Sequence, residues 1–243
     1  MIKPREIIAS VSIIAIMMLI GLMIHENIRE AQLDANDKYN KAVKIESTDL
    51  FQYGMDTNVG NAFVYGDLLA VDTVTYPEIG GEYMYIEKIK EKYTKHTRTV
   101  TKTRTNSKGE TETYTEIETY WSWDRVGSED KKCKEISFCG TVFASNKIDL
   151  PYEDYIDTIK ESSHIRYQYY GIGTKFTGTI FTELKDKTIP DNTRFYNNMN
   201  IEDTVEHLES DGIILLVLFW MFWIILIAFC IYGFYMLENE WLD

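Results

Sequence analysis

The chain has 243 residues, 45% of them hydrophobic, and a formal net charge of −13. A polypeptide this acidic lacks the cationic surface that binds nucleic acid or anionic lipid headgroups, which excludes a nucleic-acid partner. Three cysteines are too few for a disulfide-dense scaffold.

Two apolar runs organise the sequence. Ile7 to Ile24 holds eighteen residues without a charge, and Ile213 to Leu237 holds twenty-five. Crossing a hydrocarbon core about 30 Å thick takes about 20 helical residues, so transmembrane helices are predicted at 7–24 and 212–237. The sequence after the first run, HENIREAQLD, offers no small-x-small cleavage site, which favours an uncleaved anchor over a signal peptide. Lys3 and Arg5 precede the first run, so the positive-inside rule puts segment 1–6 in the cytoplasm of a two-pass cell-membrane protein. The second crossing then returns the tail, 238–243, to the same side. Arg29, Lys38 and Lys41 count against this orientation, and the LENEWLD tail adds no cation. Tyr232, Tyr235 and Trp241 suit an interfacial belt.

In chain order, HENIREAQLDANDKYNKAVK keeps Ile28, Ala31, Ala35, Tyr39 and Ala42 at helical spacing, and prolongs the first span into a helical connector, 25–54. Residues 55–211 then form the extracytoplasmic domain. The expected fold is α+β: two transmembrane helices flank a β-rich domain with a long β-hairpin and short helices. NAFVYGDLLAVDTVTYPEIGG reads as short strands broken by Gly66 and closed by Pro77 and the Gly80–Gly81 pair.

The stretch TKHTRTVTKTRTNSKGETETYTEIET, Thr94 to Thr119, places threonine at nearly every second position. Strict alternation and a β-forming residue predict a hairpin turning at Asn106 to Gly109. In one register Arg104 faces Glu110, Lys102 faces Glu112 and Arg98 faces Glu116. A shift by two puts Gly109 at a left-handed loop position, which suits turn chemistry better but leaves fewer charge pairs. Both registers remain open. Either leaves a ribbon that is polar on both faces, projecting from the core or packing only near Tyr120–Trp123. Arg98, Lys102, Arg104, Asn106, Lys108, Glu112 and Glu116 are its candidate contact residues, and their cations are matched by the ribbon's own glutamates.

Further on, EISFCGTVFASNKIDL is a candidate strand pair. Cys133 and Cys139 form either one bridge or two free thiols, since a short loop leaves the geometry open. PYEDYIDTIKES is predicted as a short amphipathic helix with Tyr152, Tyr155, Ile156 and Ile159 on one face. HIRYQYYGIGTKFTGTIFTELKDKTI gives two strands around a Gly-rich bend, with KDKT as a turn. Asn200 caps a helix, IEDTVEHLES, that leads into the second span.

This order of parts, with GNAFVYGDLL, YIEKIKEKYTKH, GTKFTGTIFTEL and FYNNMNIEDTVEHLES between two spans, resembles the beside-a-membrane (BAM, or GIDE-type) domain of a mitochondrial outer-membrane ubiquitin ligase. The polar hairpin also resembles the LUMA family of nuclear-envelope membrane proteins. The resemblance implies a recognition or scaffolding role beside the membrane, with a protein partner. It does not imply ligase activity, because no Cys/His pairs of a RING domain follow the second span. Low proline with Lys, Ile, Asn and Tyr richness suggests a bacterial or phage source.

Chemical motifs are sparse. His25, His96, His164 and His207 have no metal-ligand spacing, GIGTKFTG lacks a following helix to cradle a phosphate, and Asp67, Asp72 and Glu78 are three carboxylates among 38 acidic residues. No enzyme activity and no cofactor are therefore expected. The leading expectation is a non-enzymatic two-pass membrane protein whose domain senses or docks a partner at the membrane surface. The alternative is a structural subunit of a larger envelope assembly, homo-oligomeric or mixed.

Overall fold

A computed structural model describes residues 4–105 and 109–240. Two long apolar helices bracket a β-rich middle domain in an α+β fold. Helix α1 (Pro4–Lys41) and the last helix, α3 (Ile201–Glu240), are each long and apolar enough to cross a membrane. They run antiparallel and touch along their length. Ser10 reaches Tyr235, Trp223 Nε1 donates to the Met17 carbonyl at 2.9 Å, Trp220 meets His25, and Gln32 donates to the Gly212 carbonyl. The remaining faces of the apolar segments are exposed, as at Ile8, Leu19, Met23, Phe222 and Phe229.

At about 1.5 Å per residue each helix is nearly 60 Å long, so each outruns its apolar segment by several turns. The extension of α1 past Ile24 agrees with the helical spacing of its alanines and Tyr39. The connector as a whole is not helical. After Lys41 come strand β1 (Val43–Ile45) and a separate helix, α2 (Thr48–Thr57), which straddles the expected boundary at residue 55. Helix α2 starts because the Ser47 side chain accepts from the Leu50 amide, and stops at Asn58, whose left-handed φ of 55° closes it.

Two sheets make up the domain. The first joins β2 (Gly60–Ala70), β5 (Glu135–Phe138), β6 (Thr141–Ala144), β9 (Lys175–Leu184) and β10 (Phe195–Asn197) in the order β10-β9-β2-β5-β6, and β1 adds to β2 in parallel. The second joins β3 (Tyr85–Thr105), β4 (Thr111–Lys132), β7 (Asp154–Lys160) and β8 (Ile165–Ile172) in the order β4-β3-β8-β7. The Gly-rich bend after Ile172 is therefore a passage from one sheet to the other.

The main core lies where α2 covers the first sheet, with Phe51, Met55, Val64, Leu68, Ile136, Phe138 and Ile180 buried together. A smaller core lies on the second sheet, where the loop carrying Tyr76 folds over Ile86 and Tyr169. Glu78 in that loop latches to the sheet through Lys88 Nζ at 2.5 Å and the Tyr169 hydroxyl at 2.9 Å.

The long helices are fixed to this domain. Tyr39 of α1 packs edge-on against Phe181 of β9, while Ile201 and Thr204 at the start of α3 are buried. Asn200 caps α3 as expected, with its side-chain oxygen accepting from the Asp203 amide at 2.8 Å.

Two expectations need correction, and one open alternative is decided. Gly66 does not break β2, which runs through it unbroken. A Cβ there would stand 3.0 Å from the Cys139 Cβ, so the glycine admits a crossing turn. PYEDYIDTIKES is not a helix: Asp154–Lys160 is an edge strand paired with β8. A bulge between Tyr155 and Asp157 lets Ile156 and Ile159, three positions apart, both pack on the Tyr76–Ile86–Tyr169 cluster, which imitates a helical stripe. Cys133 and Cys139 are free, buried thiols. The extended strand between them holds them beyond the roughly 7 Å a disulfide can bridge.

Candidate functional site

The hairpin of β3 and β4 dominates the surface. Its arms pair continuously from Tyr85↔Lys132 to Thr105↔Thr111. Strand β8 flanks β3 only as far as Lys92. Beyond that point the two arms continue alone for about 40 Å, at roughly 3.3 Å per residue. Between Thr97 and Thr119 no described residue is buried. The register is the shifted one, with Arg104 opposite Glu112 and Gly109 at φ 83°. A bulge between Lys90 and Glu91, opposite Val126, re-aims the free part of the ribbon relative to the sheet. Asn106 and Lys108 lie outside the described residues.

Alternation gives the ribbon two unlike faces. Directly opposed residues of an antiparallel pair share a face. One face carries Arg98, Val100, Lys102 and Arg104 against Glu118, Glu116, Tyr114 and Glu112. Arg98 Nη2 meets Glu118 at 3.0 Å, Lys102 Nζ lies 2.9 Å from both Glu116 and Glu118, and Arg104 Nη2 meets Glu112 at 3.2 Å. Hydrogen bonds that Lys102 donates to Glu116 and Glu118 raise its pKa, and hydrogen bonds from Lys102 and Arg98 lower that of Glu118. The sequence-predicted contact residues Arg98, Lys102, Arg104, Glu112 and Glu116 are thus brought together on this face. The other face is a threonine ladder: Thr97↔Thr119, Thr101↔Thr115, Thr103↔Thr113 and Thr105↔Thr111, interrupted by Ile117, which is 71% exposed.

The base of the ribbon is braced by aromatic rings. Tyr93 stacks on Trp121 at 5.4 Å and touches Trp123, and the Arg166 guanidinium lies 4.4 Å from the Trp123 ring. On the charged face His96 stacks on Tyr120, and its Nε2 lies 2.6 Å from Asp124, which also accepts from Thr94 and from Ser122 at 2.9 Å. Thr94 and Asp124 both meet the same imidazole nitrogen, Nε2, so the knot ties the two arms and does not form a nucleophile–base–acid relay.

An open groove of 620 Å³ lies beside Leu150–Glu153, with Tyr85, Ile89, Tyr170 and Ile172 along it. Burial, with Glu87 nearby, pushes the Glu153 carboxyl up, and burial takes Tyr85 up to about 12. Tyr152 projects from the rim at 97% exposure. Sequence reasoning missed this groove because its walls come from four separate segments.

The remaining chemistry-bearing residues are dispersed. His25 meets Trp220, His164 meets Ser163, and His207 lies 3.7 Å from Asp211. Among the described residues no group of three or more His, Cys, Asp or Glu is placed to hold a metal ion. Asp67 pairs with Thr177 and Lys175, and hydrogen bonds from them lower its pKa. Asp72 accepts the Lys134 and Glu135 amides, which lowers its pKa and fixes the entry to β5. Glu78, held to about 2 chiefly by Lys88, is the loop latch. The three carboxylates thus serve three separate structural contacts. The glycines of GIGTKFTG serve close packing, with Gly178 against the Tyr196 backbone and Gly171 against Ile156.

No family model matches the chain, and neither a curated protein nor a solved structure does.

Proposed function

We propose that the chain is a non-enzymatic two-pass membrane protein that docks a protein partner beside the bilayer, with the β3–β4 ribbon as its contact surface. The observation that carries this reading is the ribbon itself: about 40 Å of paired backbone that buries none of its residues between Thr97 and Thr119. A structure this exposed adds nothing to the core, and its regular charged and threonine faces offer a large, pre-ordered surface. The antiparallel helices, with uncharged outer faces of bilayer length, support two crossings that leave both termini on one side and the domain on the other, and the cations Lys3 and Arg5 before the first run favour the cytoplasm as the side of the termini. The order of parts resembling a BAM-type domain supports a role at the membrane surface.

Sidedness tests this reading. In a Cys230→Ser background, a membrane-impermeant maleimide added to intact cells labels Thr101→Cys, whereas a terminal tag becomes accessible to antibody only after permeabilisation. Labelling of the ribbon only after permeabilisation overturns the orientation, and release of the protein by alkaline carbonate overturns the crossings.

A further inference from the structure

We infer that the partner of the ribbon is a second copy of the same chain, joined edge to edge so that β3 of one copy lies beside β4 of the next. This inference rests on the ribbon being the docking surface, and it names the occupant.

Two observations carry it. First, the ribbon has two open edges. Strand β4 pairs only with β3, and β3 has no strand on its other side after Lys92. Such edges present rows of backbone N–H and C=O groups that accept another strand. Second, charge is segregated by arm. From Thr94 to Thr105 the ionisable residues are Lys95, His96, Arg98, Lys102 and Arg104, with no carboxylate. From Glu110 to Tyr120 they are Glu110, Glu112, Glu116, Glu118 and two tyrosines, with no cation. One edge is therefore basic and the other acidic.

Pairing like edges sets cation against cation or glutamate against glutamate, which is unfavourable for directly opposed strands. Pairing β3 with β4 of a neighbour gives each ion pair a second partner and continues the charged face as alternating rows. The same segregation thus blocks indiscriminate edge pairing and leaves one arrangement open.

The membrane supplies the orientation. Copies crossing one bilayer in the same sense point their ribbons the same way, so β3 of one and β4 of the next run antiparallel without inversion. A neighbour displaced across the strands, at equal height, repeats the register within the hairpin. Arg104 then faces Glu112 of the partner subunit, and Thr101 faces Thr115 of the partner subunit. This contact is heterologous: it closes into a ring when the rotation between copies divides the circle, and otherwise propagates as a row.

The test uses the full chain in bilayer nanodiscs or native membranes, in the Cys230→Ser background. Two differently tagged copies are co-expressed, one with Thr101→Cys and one with Cys at Thr113, Ile117 or Thr115, so that registers sheared by two residues are sampled as well. Mild oxidation is expected to give mixed cross-linked dimers at one of these positions, at least about five-fold above the self-cross-linking of either single variant. Raising salt from about 50 mM to about 500 mM is expected to reduce the yield several-fold, because the edges are exposed to screening. Arg98→Glu with Arg104→Glu is expected to abolish it while the domain still unfolds cooperatively. Absence of mixed dimers at all three positions, or self-cross-links as abundant as mixed ones, overturns the inference. Such a failure leaves the orientation and the crossings standing, because sidedness is read on single copies.

Discussion

Trp223 Nε1 donates to the Met17 carbonyl at 2.9 Å, and the ring lies over Gly21 so closely that a Cβ there would stand 2.5 Å from the same nitrogen. This is a close, small-residue contact between the two long helices. Without a hydrophobic driving force between helices in lipid, such small-residue contacts and interhelical hydrogen bonds are what hold a pair together.

Gly21→Val should therefore separate the helices. Overpacking of this kind costs about 1–3 kcal/mol. The expected readouts are a lower thermal midpoint in detergent and loss of the cross-link that a short bifunctional maleimide forms between Ser10→Cys and Tyr235→Cys without the glycine change, since the Tyr235 hydroxyl reaches Ser10 across the pair. Gly233→Val, at a glycine with open space around it, serves as the control and should leave both unchanged.

The loop latch gives a pH dependence with a fixed sign. Glu78 is held at about 2 in the folded protein, against an ordinary value of 4.5, chiefly by its hydrogen bond to Lys88. Its contribution is therefore fully present above about pH 4.5 and is lost as pH falls toward about 2. Asp67 and Asp72 are shifted in the same direction, so the test is a comparison. Glu78→Gln should unfold more easily than the parent at pH 7, by on the order of 1 kcal/mol given its partial exposure. The gap should close by pH 2 in urea melts at the two pH values. No gap at pH 7 would mean that packing of Tyr76 and Tyr169 holds the loop without the carboxylate, and a gap unchanged at pH 2 would mean that its ionisation contributes nothing.

Burial raises the pKa of both Cys133 and Cys139, and neither is bridged. An aqueous thiol reagent should label neither in the folded protein and both after denaturation, as read by mass. Reductant should leave the thermal midpoint unchanged.

Several features of the fold were written in local residues. The long uncharged runs specify the helices, Asn200 marks the start of α3, and the Thr alternation with oppositely charged arms specifies the hairpin. KDKT is a two-residue turn with Asp186 and Lys187 both at positive φ. What escaped local reading depended on distant partners. The edge strand at Asp154–Lys160 looks helical because its bulge brings Ile156 and Ile159 to one face. Gly66 looks like a strand breaker unless the Cys139–Gly140 turn that crosses it is known. Helix α2 is amphipathic only in relation to Phe138 and Phe143, which pack on Phe51. For the candidate site, the pairing of a basic arm with an acidic arm was legible and its register was not. The register with Arg104 opposite Glu110 offered more direct charge pairs, whereas the observed one, with Arg104 opposite Glu112, suits the turn with Gly109 at positive φ, so the two local signals pulled in opposite directions.

The central claim is that the ribbon is a displayed surface and not part of the core. Replacing residues 97–119 with Asn-Gly joins His96 to Tyr120, which already face each other, through a tight turn. Thermal unfolding of this shortened chain beside the parent tests the claim most directly. The account predicts a midpoint within about 3 °C of the parent, since this segment buries no residue that the core uses. A shortened chain that unfolds far below the parent, or fails to fold, would contradict it.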